Sequence, residues 1–352
     1  MRTNLTPFPG HSSISCLALA SAVSLLFAAE PGPKGPVNEW PQWGGSSLRN
    51  NAPNAESLPV EWSVGEFDFR TGKWLGGDVK NVRWVARLGT ESYGSPAIAA
   101  GRVFCATNNA GYLARYSSTV DLGCLLSFRQ SDGEFLWQHS VEKLEDSEID
   151  WPKQGICCTP LIEDNRAWLV TNRGEVVCLD TEGFRDHEND GPMVKETSSA
   201  EDDSDMVWRY DMMAELGTLQ HNMASCSVTS AGDLLLVNTS NGVDSSHEKI
   251  PAPRAPSFIA LDKHEGRLIW ADNSPGENIL HGQWASPAYA VLGGKPQAIF
   301  PGGDGWLYSF LAEPASDGKP TLLWKFDCNP KASVWSSGGE GERNTIIATP
   351  VI

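Results

Sequence analysis

One short pattern recurs through the chain at an almost constant interval: a small hydroxyl residue, usually followed by proline, heads a brief apolar run. It occurs in "SPAIAAGRVFCAT", "TPLIEDNRAWLVT", "SCSVTSAGDLLLVNT", "SPAYAVLGGKPQAIF" and "TPVI". The heading residues are Ser95, Thr159, Ser225, Ser286 and Thr349, separated by 64, 66, 61 and 63 positions. A regular period of this kind constrains the fold strongly. It demands one supersecondary unit used repeatedly, each copy burying its apolar face against the next.

Within a unit the order is constant: strand, tight turn, second strand, polar turn, third strand, and a fourth that carries tryptophan. The apolar runs are about four to eight residues long and bounded by turn residues, which is strand-like. Helical spacing is confined to the neighbourhood of Met212 to Leu219. Four strands per unit, repeated radially, predict an all-β chain folded as a β-propeller of four-stranded antiparallel blades. The blades fall near 90–140, 155–210, 222–272 and 283–327, with the start of another at 345–352, so four blades and a stub are expected, an incomplete ring. The fourth-strand tryptophans are Trp137, Trp208, Trp270 and Trp324. Their large apolar plates are expected to dock neighbouring blades, each with an N–H for a backbone acceptor.

Lys and Arg total 27 against 44 Asp and Glu, a formal net charge of -17 over 352 residues. No basic cluster is present to neutralise a phosphate backbone, so nucleic acid is excluded as a partner. The densest acidic run, "ETSSAEDDSD" at 196–205, has no apolar periodicity and reads as a solvated loop. Residues 14–29, "ISCLALASAVSLLFAA", are apolar and small and precede the Pro/Gly-rich "EPGPKGP". This predicts a signal peptide over 1–29, a lead-in segment over 30–77 and the propeller over 78–352, in an exported, periplasmic or cell-envelope protein. An N-terminal membrane anchor is the alternative. Of eight cysteines, seven lie beyond Cys16, and none shows CxxC, zinc-site or haem-attachment spacing.

The segments "SFRQSDGEFLW" (127–137) and "ALDKHEGRLIW" (260–270) resemble the tryptophan-docking repeat A-x-D-x-x-T-G-K-x-x-W of the PQQ-type β-propeller family. Ala260, Asp262, Gly266 and Trp270 fit it well, whereas the first copy has Arg129 at the aspartate position. Blade 2 begins the motif as "CLDTEG" and inserts about twenty residues before Trp208; blade 4 has a longer turn before Trp324. "WPQWGG" and "LPVEWS" are similar to the lead-in of exported propellers of this type, including those of planctomycetes. The resemblance implies a ring of seven or eight blades, of which this sequence would be a fragment. It also implies that "NVRWVARLG", around Trp84, is a fourth strand completing the last blade.

Two functions follow from the resemblance. One is a non-catalytic propeller that binds a protein or small-molecule ligand on its long-loop face, as BamB-type assembly factors of this repeat family do. The other is a PQQ- and Ca²⁺-dependent dehydrogenase of alcohols or sugars. Long connections collect on the face bearing the loops between blades and the loops between strands two and three, which is where binding residues gather. For the dehydrogenase the expected base is Asp304, in "GGDGW". The cofactor would meet Trp284, Gln283, His281, Arg173, Cys157 and Cys158, and Asn241 and Asp244 would hold the metal. Bland alternatives stand beside each: Asp304 as a turn residue, His221 and His281 as hydrogen-bonded loop histidines, and Arg173 as a turn cap. Adjacent Cys157 and Cys158 ("GICCTPL") are a vicinal disulfide in the dehydrogenase reading and buried thiols in the other. Open edge strands in an incomplete ring are expected to promote association.

Overall fold

The computed structural model describes residues 39–53, 58–339 and 341–352; the expected signal peptide lies outside them. A hairpin of β1 (Ser63–Phe67) and β2 (Trp74–Lys80) precedes four successive antiparallel meanders. Blade 1 comprises β3 (Ala97–Ala99), β4 (Arg102–Asn108), β5 (Leu122–Arg129) and β6 (Phe135–Glu142). Blade 2 comprises β7 (Leu161–Glu163), β8 (Arg166–Val170), β9 (Glu175–Asp180) and β10 (Met206–Asp211), followed by the single turn of α1 (Met212–Leu216). Blade 3 holds β11 (Thr229–Ala231), β12 (Leu234–Asn238), β13 (Phe258–Asp262) and β14 (Leu268–Asp272). Blade 4 holds β15 (Ala288–Leu292), β16 (Lys295–Pro301), β17 (Trp306–Leu311) and β18 (Thr321–Asp327). These are the predicted blades of a β-propeller.

The motif's small first residue and its tryptophan are cross-strand partners in every blade. Trp137 faces Ser127, Trp208 faces Cys178, Trp270 faces Ala260 and Trp324 faces Ser309, and a bulge adjoins each pair. A small side chain there leaves room for the indole, and the bulge re-aims it toward the next blade. Trp137 Nε1 donates to the Thr181 carbonyl of blade 2 at 3.0 Å, Trp208 to Lys263 of blade 3 at 3.1 Å, and Trp270 to Ala312 of blade 4 at 2.8 Å. Each acceptor directly follows the motif's aspartate position. Trp84 makes the same bond to Gln130 of blade 1 at 2.9 Å, although its segment is extended coil and not a strand. The motif glycine is needed beneath the indole: a Cβ on Gly266, which has φ +69°, would lie 2.5 Å from the ring of Trp208.

The hub is stitched by hydroxyl groups. The amide of Ser95 donates to Thr159 Oγ1 at 2.8 Å, that of Thr159 to Ser227 Oγ at 2.9 Å, and that of Ser227 to Ser286 Oγ at 2.9 Å. Here the structure corrects the repeat: Ser227, and not Ser225, is the blade 3 member. Cys226 confirms the register, because its sulfur accepts from the Asn238 amide twelve positions on, where Cys158 donates to the Val170 carbonyl twelve positions on. Three positions after the hydroxyl heads, the lead-in chain crosses the hub. Ile98 pairs with Trp40, and the amides of Ile162, Tyr289 and Ile352 donate to the carbonyls of Pro41, Ser47 and Leu48. Arg49, wholly buried, spans the centre and donates to the carbonyls of Trp43, Ser227, Val228 and Pro287 and to Gln42 Oε1. Burial lowers its pKa to about 10.

The acidic insert departs from the solvated loop expected of it. Its last residues bend back onto blade 1, where the Gln138 amide donates to Asp202 and the Ser204 amide to Gln138. Asp203 and Asp205 are consequently buried.

Candidate functional site

The loops that lead into each first strand converge on the hub, because the hydroxyl bonds pin their ends side by side. Between them lies a cavity of about 470 Å³. Its walls include Tyr93, Trp151, Met223, Trp284 and Ile347, and Trp43 enters from the crossing segment. Polar lining comes from Asn222, Ser225, Ser227, His281, Ser286 and Thr349; among the described residues no Asp, Glu, Lys or Arg lines the cavity. A concave, mostly apolar pocket with a few convergent polar groups on a rigid frame is the usual form of a ligand site.

His281 and Trp284 border this pocket from the loop preceding blade 4. The Trp284 indole donates to the His221 carbonyl at 3.0 Å, and its ring lies 4.9 Å from that of His281. His221 precedes blade 3, and the adjoining His247 belongs to the loop between β12 and β13. Burial and the neighbouring imidazoles lower the pKa of His221 to about 4 and depress that of His281, so both rings are neutral near pH 7.

Other residues singled out in the sequence are already occupied. Asp304 is buried on its turn, accepting from Tyr308 Oη at 2.5 Å and the Trp306 amide at 3.1 Å, and burial raises its pKa. Gln283 donates to the Asn241 carbonyl and Ser257 Oγ and accepts from the Gly303 amide. Asn241 accepts from the Leu219 amide and donates to Ala252. Asp244 closes an exposed turn with Ser246 and Lys249. Arg173 donates to the carbonyls of Glu142 and Lys143 and lies 4.0 Å from Glu175, away from the pocket.

Cys157 and Cys158 are both free thiols, buried, with pKa values raised to about 12 by desolvation. Cys158 fills the crowded slot beside Gly94, where a Cβ would lie 2.3 Å from the Cys158 carbonyl oxygen. Only Cys157 reaches the pocket wall. Of the residues expected to meet a cofactor, the structure therefore brings Trp284, His281 and Cys157 to one cavity. Sequence reasoning missed Trp43, Tyr93, Met223 and His247, whose only local signal was a place beside a strand head or on a long loop.

No protein-family model matches the chain, and no curated protein matches it. Among solved structures, similarity extends to BamB from Moraxella catarrhalis, with TM-score 0.39 and 15% identity over 71% of this chain and 52% of that one. It extends also to the quinohemoprotein alcohol dehydrogenase ADHIIG from Pseudomonas putida HK5, with TM-score 0.43 and 12% identity over 83% and 48%. A europium-containing methanol dehydrogenase matches with TM-score 0.37 and 13% identity over 65% and 44%. The chain thus spans about half the length of these proteins.

Proposed function

We propose that this chain is an exported, non-catalytic propeller module that binds an uncharged, largely apolar group in its axial pocket, either a small molecule or a side chain of a protein partner. The observation that carries this reading is the pocket lining: aromatic and aliphatic walls, hydroxyls at the strand heads and, among the described residues, no charged side chain. Export rests on the apolar N-terminal stretch at 14–29. Among the described residues no helix is long and apolar enough to cross a membrane.

The same lining does not fit PQQ. That quinone carries three carboxylates, and burying anions without partner cations is strongly unfavourable. Arg173, the cation expected near the cofactor, is engaged elsewhere, Asp304 and Asp244 serve their own turns, and Asn241 bonds the Leu219 amide and the Ala252 carbonyl. The test is a pair of titrations on the full chain. PQQ with Ca²⁺ is expected to give no saturable quinone absorbance and no dye-linked alcohol oxidation, whereas neutral Nile red gains fluorescence that Tyr93→Ala weakens. Stoichiometric PQQ retained through dialysis, or Nile red emission indifferent to Tyr93→Ala, would refute the reading.

A further inference from the structure

Three histidines from three separate loops meet at the rim of the axial pocket. One ligand nitrogen from each of His221, His247 and His281 falls within 4.8 Å of the other two. We propose that they form a three-histidine site for a divalent transition-metal ion of the zinc class, with a further coordination position open toward the pocket.

Protonation is already arranged for His221. Its Nδ1 lies 2.8 Å from the Val243 carbonyl, an acceptor only, so Nδ1 carries the proton and Nε2 presents a lone pair. A backbone carbonyl on the remote ring nitrogen is the usual support of a metal-bound imidazole. Nε2 of His247 lies 3.1 Å from His221 Nε2. Zinc–nitrogen bonds of about 2.0–2.1 Å place tetrahedral ligand atoms roughly 3.3 Å apart, so this pair is already at ligand spacing. Without metal, His247 Nε2–H donates to His221; on metal binding that proton moves to Nδ1 of His247, whose ring is exposed.

His281 supplies the independent observation. Its Nε2 is buried and has no hydrogen-bond partner, and such an orphaned nitrogen is costly. A metal shared with His221 would satisfy it. The backbone supports the convergence. His247 sits at φ +59°, a left-handed conformation unfavourable for a non-glycine residue, and its carbonyl packs where a Cβ on Gly338 would lie 1.0 Å away. The Val243 amide donates to the His281 carbonyl, tying two of the loops together.

An all-imidazole donor set selects zinc, copper or nickel over calcium and magnesium. Because His281 also lines the pocket, an oxygen, nitrogen or sulfur donor entering there would complete the coordination. The site depends on these loops alone and not on what fills the pocket.

The test uses the full chain stripped with chelator and titrated with Co²⁺ as a visible probe. One equivalent is expected to generate the d–d absorption of nitrogen-ligated cobalt, Zn²⁺ to abolish it by displacement, and Ca²⁺ to leave it unchanged. His247→Ala, at an exposed loop position, is expected to fold normally and to weaken Zn²⁺ binding about 100-fold or more. His264→Ala, remote from the cluster, is expected to bind like the parent. A parent protein with no saturable one-to-one cobalt signal, or a His247→Ala protein that keeps it, would overturn the site.

Discussion

The junction between blades 3 and 4 and the outer face of blade 4 carry the same motif residue in opposite circumstances. Trp270 is 2% exposed, lies against Phe300 and Phe310, and donates its N–H to Ala312 of the next blade. Trp324 is 37% exposed, and its N–H turns inward to Gln297 Oε1 of its own blade. The motif tryptophan therefore stabilises a blade chiefly through its neighbour. The glycines do not follow this contrast: Gly266 lies beneath Trp208, whereas a Cβ on Gly318, in the longer turn of blade 4, would meet nothing within 4 Å although Trp270 docks on that blade.

This contrast can be broken in order of effect. Trp270→Ala is expected to cost about 3–5 kcal/mol in urea unfolding, the range for a fully buried indole, and Trp324→Ala about 1 kcal/mol or less. Equal losses would mean that docking between blades is not the source of the stability. Arg49→Ala strands four hub carbonyls and is expected to cost about 3 kcal/mol. Arg49→Lys should recover only part of that, because a single ammonium cannot reproduce the guanidinium's spread of donors. Gly266→Ala should cost about 2 kcal/mol or more through the clash with Trp208 together with its positive φ, against about 1 kcal/mol for Gly318→Ala, where only φ is at stake.

Leu322, Trp324 and Phe326 alternate along β18 and are all substantially exposed. What the chain presents there is the apolar face of a sheet. Phe326→Lys is expected to lower self-association in light scattering while leaving the unfolding midpoint nearly unchanged.

The smallest effect belongs to the insert that seals blade 1. Desolvation raises the pKa of Asp205 to about 6, and its Oδ1 is buried without a partner. A carboxyl with a folded pKa above its unfolded value of 3.8 favours the folded state when protonated. Its contribution is therefore lost as pH rises from about 4 to about 6. Asp205→Asn should remove that dependence and gain about 1 kcal/mol at pH 7 relative to the parent, read as the difference between their stability–pH curves.

The blade repeat was legible because the hydroxyl heads and tryptophans recur with their turns, and local order dictates local pairing. The register error at blade 3 has a physical origin. "SCS" offers two hydroxyls two residues apart, and a slip of two keeps every side chain on its own face, so alternation alone cannot separate Ser225 from Ser227. Only the bonds across the hub decide it. Asp304, Gln283 and Asn241 looked available because sequence shows polarity and not its partners, yet Asp304 is held by its own turn and Tyr308, and Gln283 and Asn241 by groups farther away in the chain. The histidine cluster was illegible for the converse reason, since His221, His247 and His281 meet only after two blades close on one another. The path of residues 40–49 through the hub was hidden likewise: its bonds reach as far as Ile352.

That crossing segment ties the first strands of the hub together, and amide hydrogen exchange on the full chain tests it most directly. Residues 40–49 and the first strands β3, β7, β11 and β15 are expected to exchange slowly and to lose protection together in Arg49→Ala. Rapid exchange across 40–49 in the parent protein, with the first strands still protected, would contradict the account.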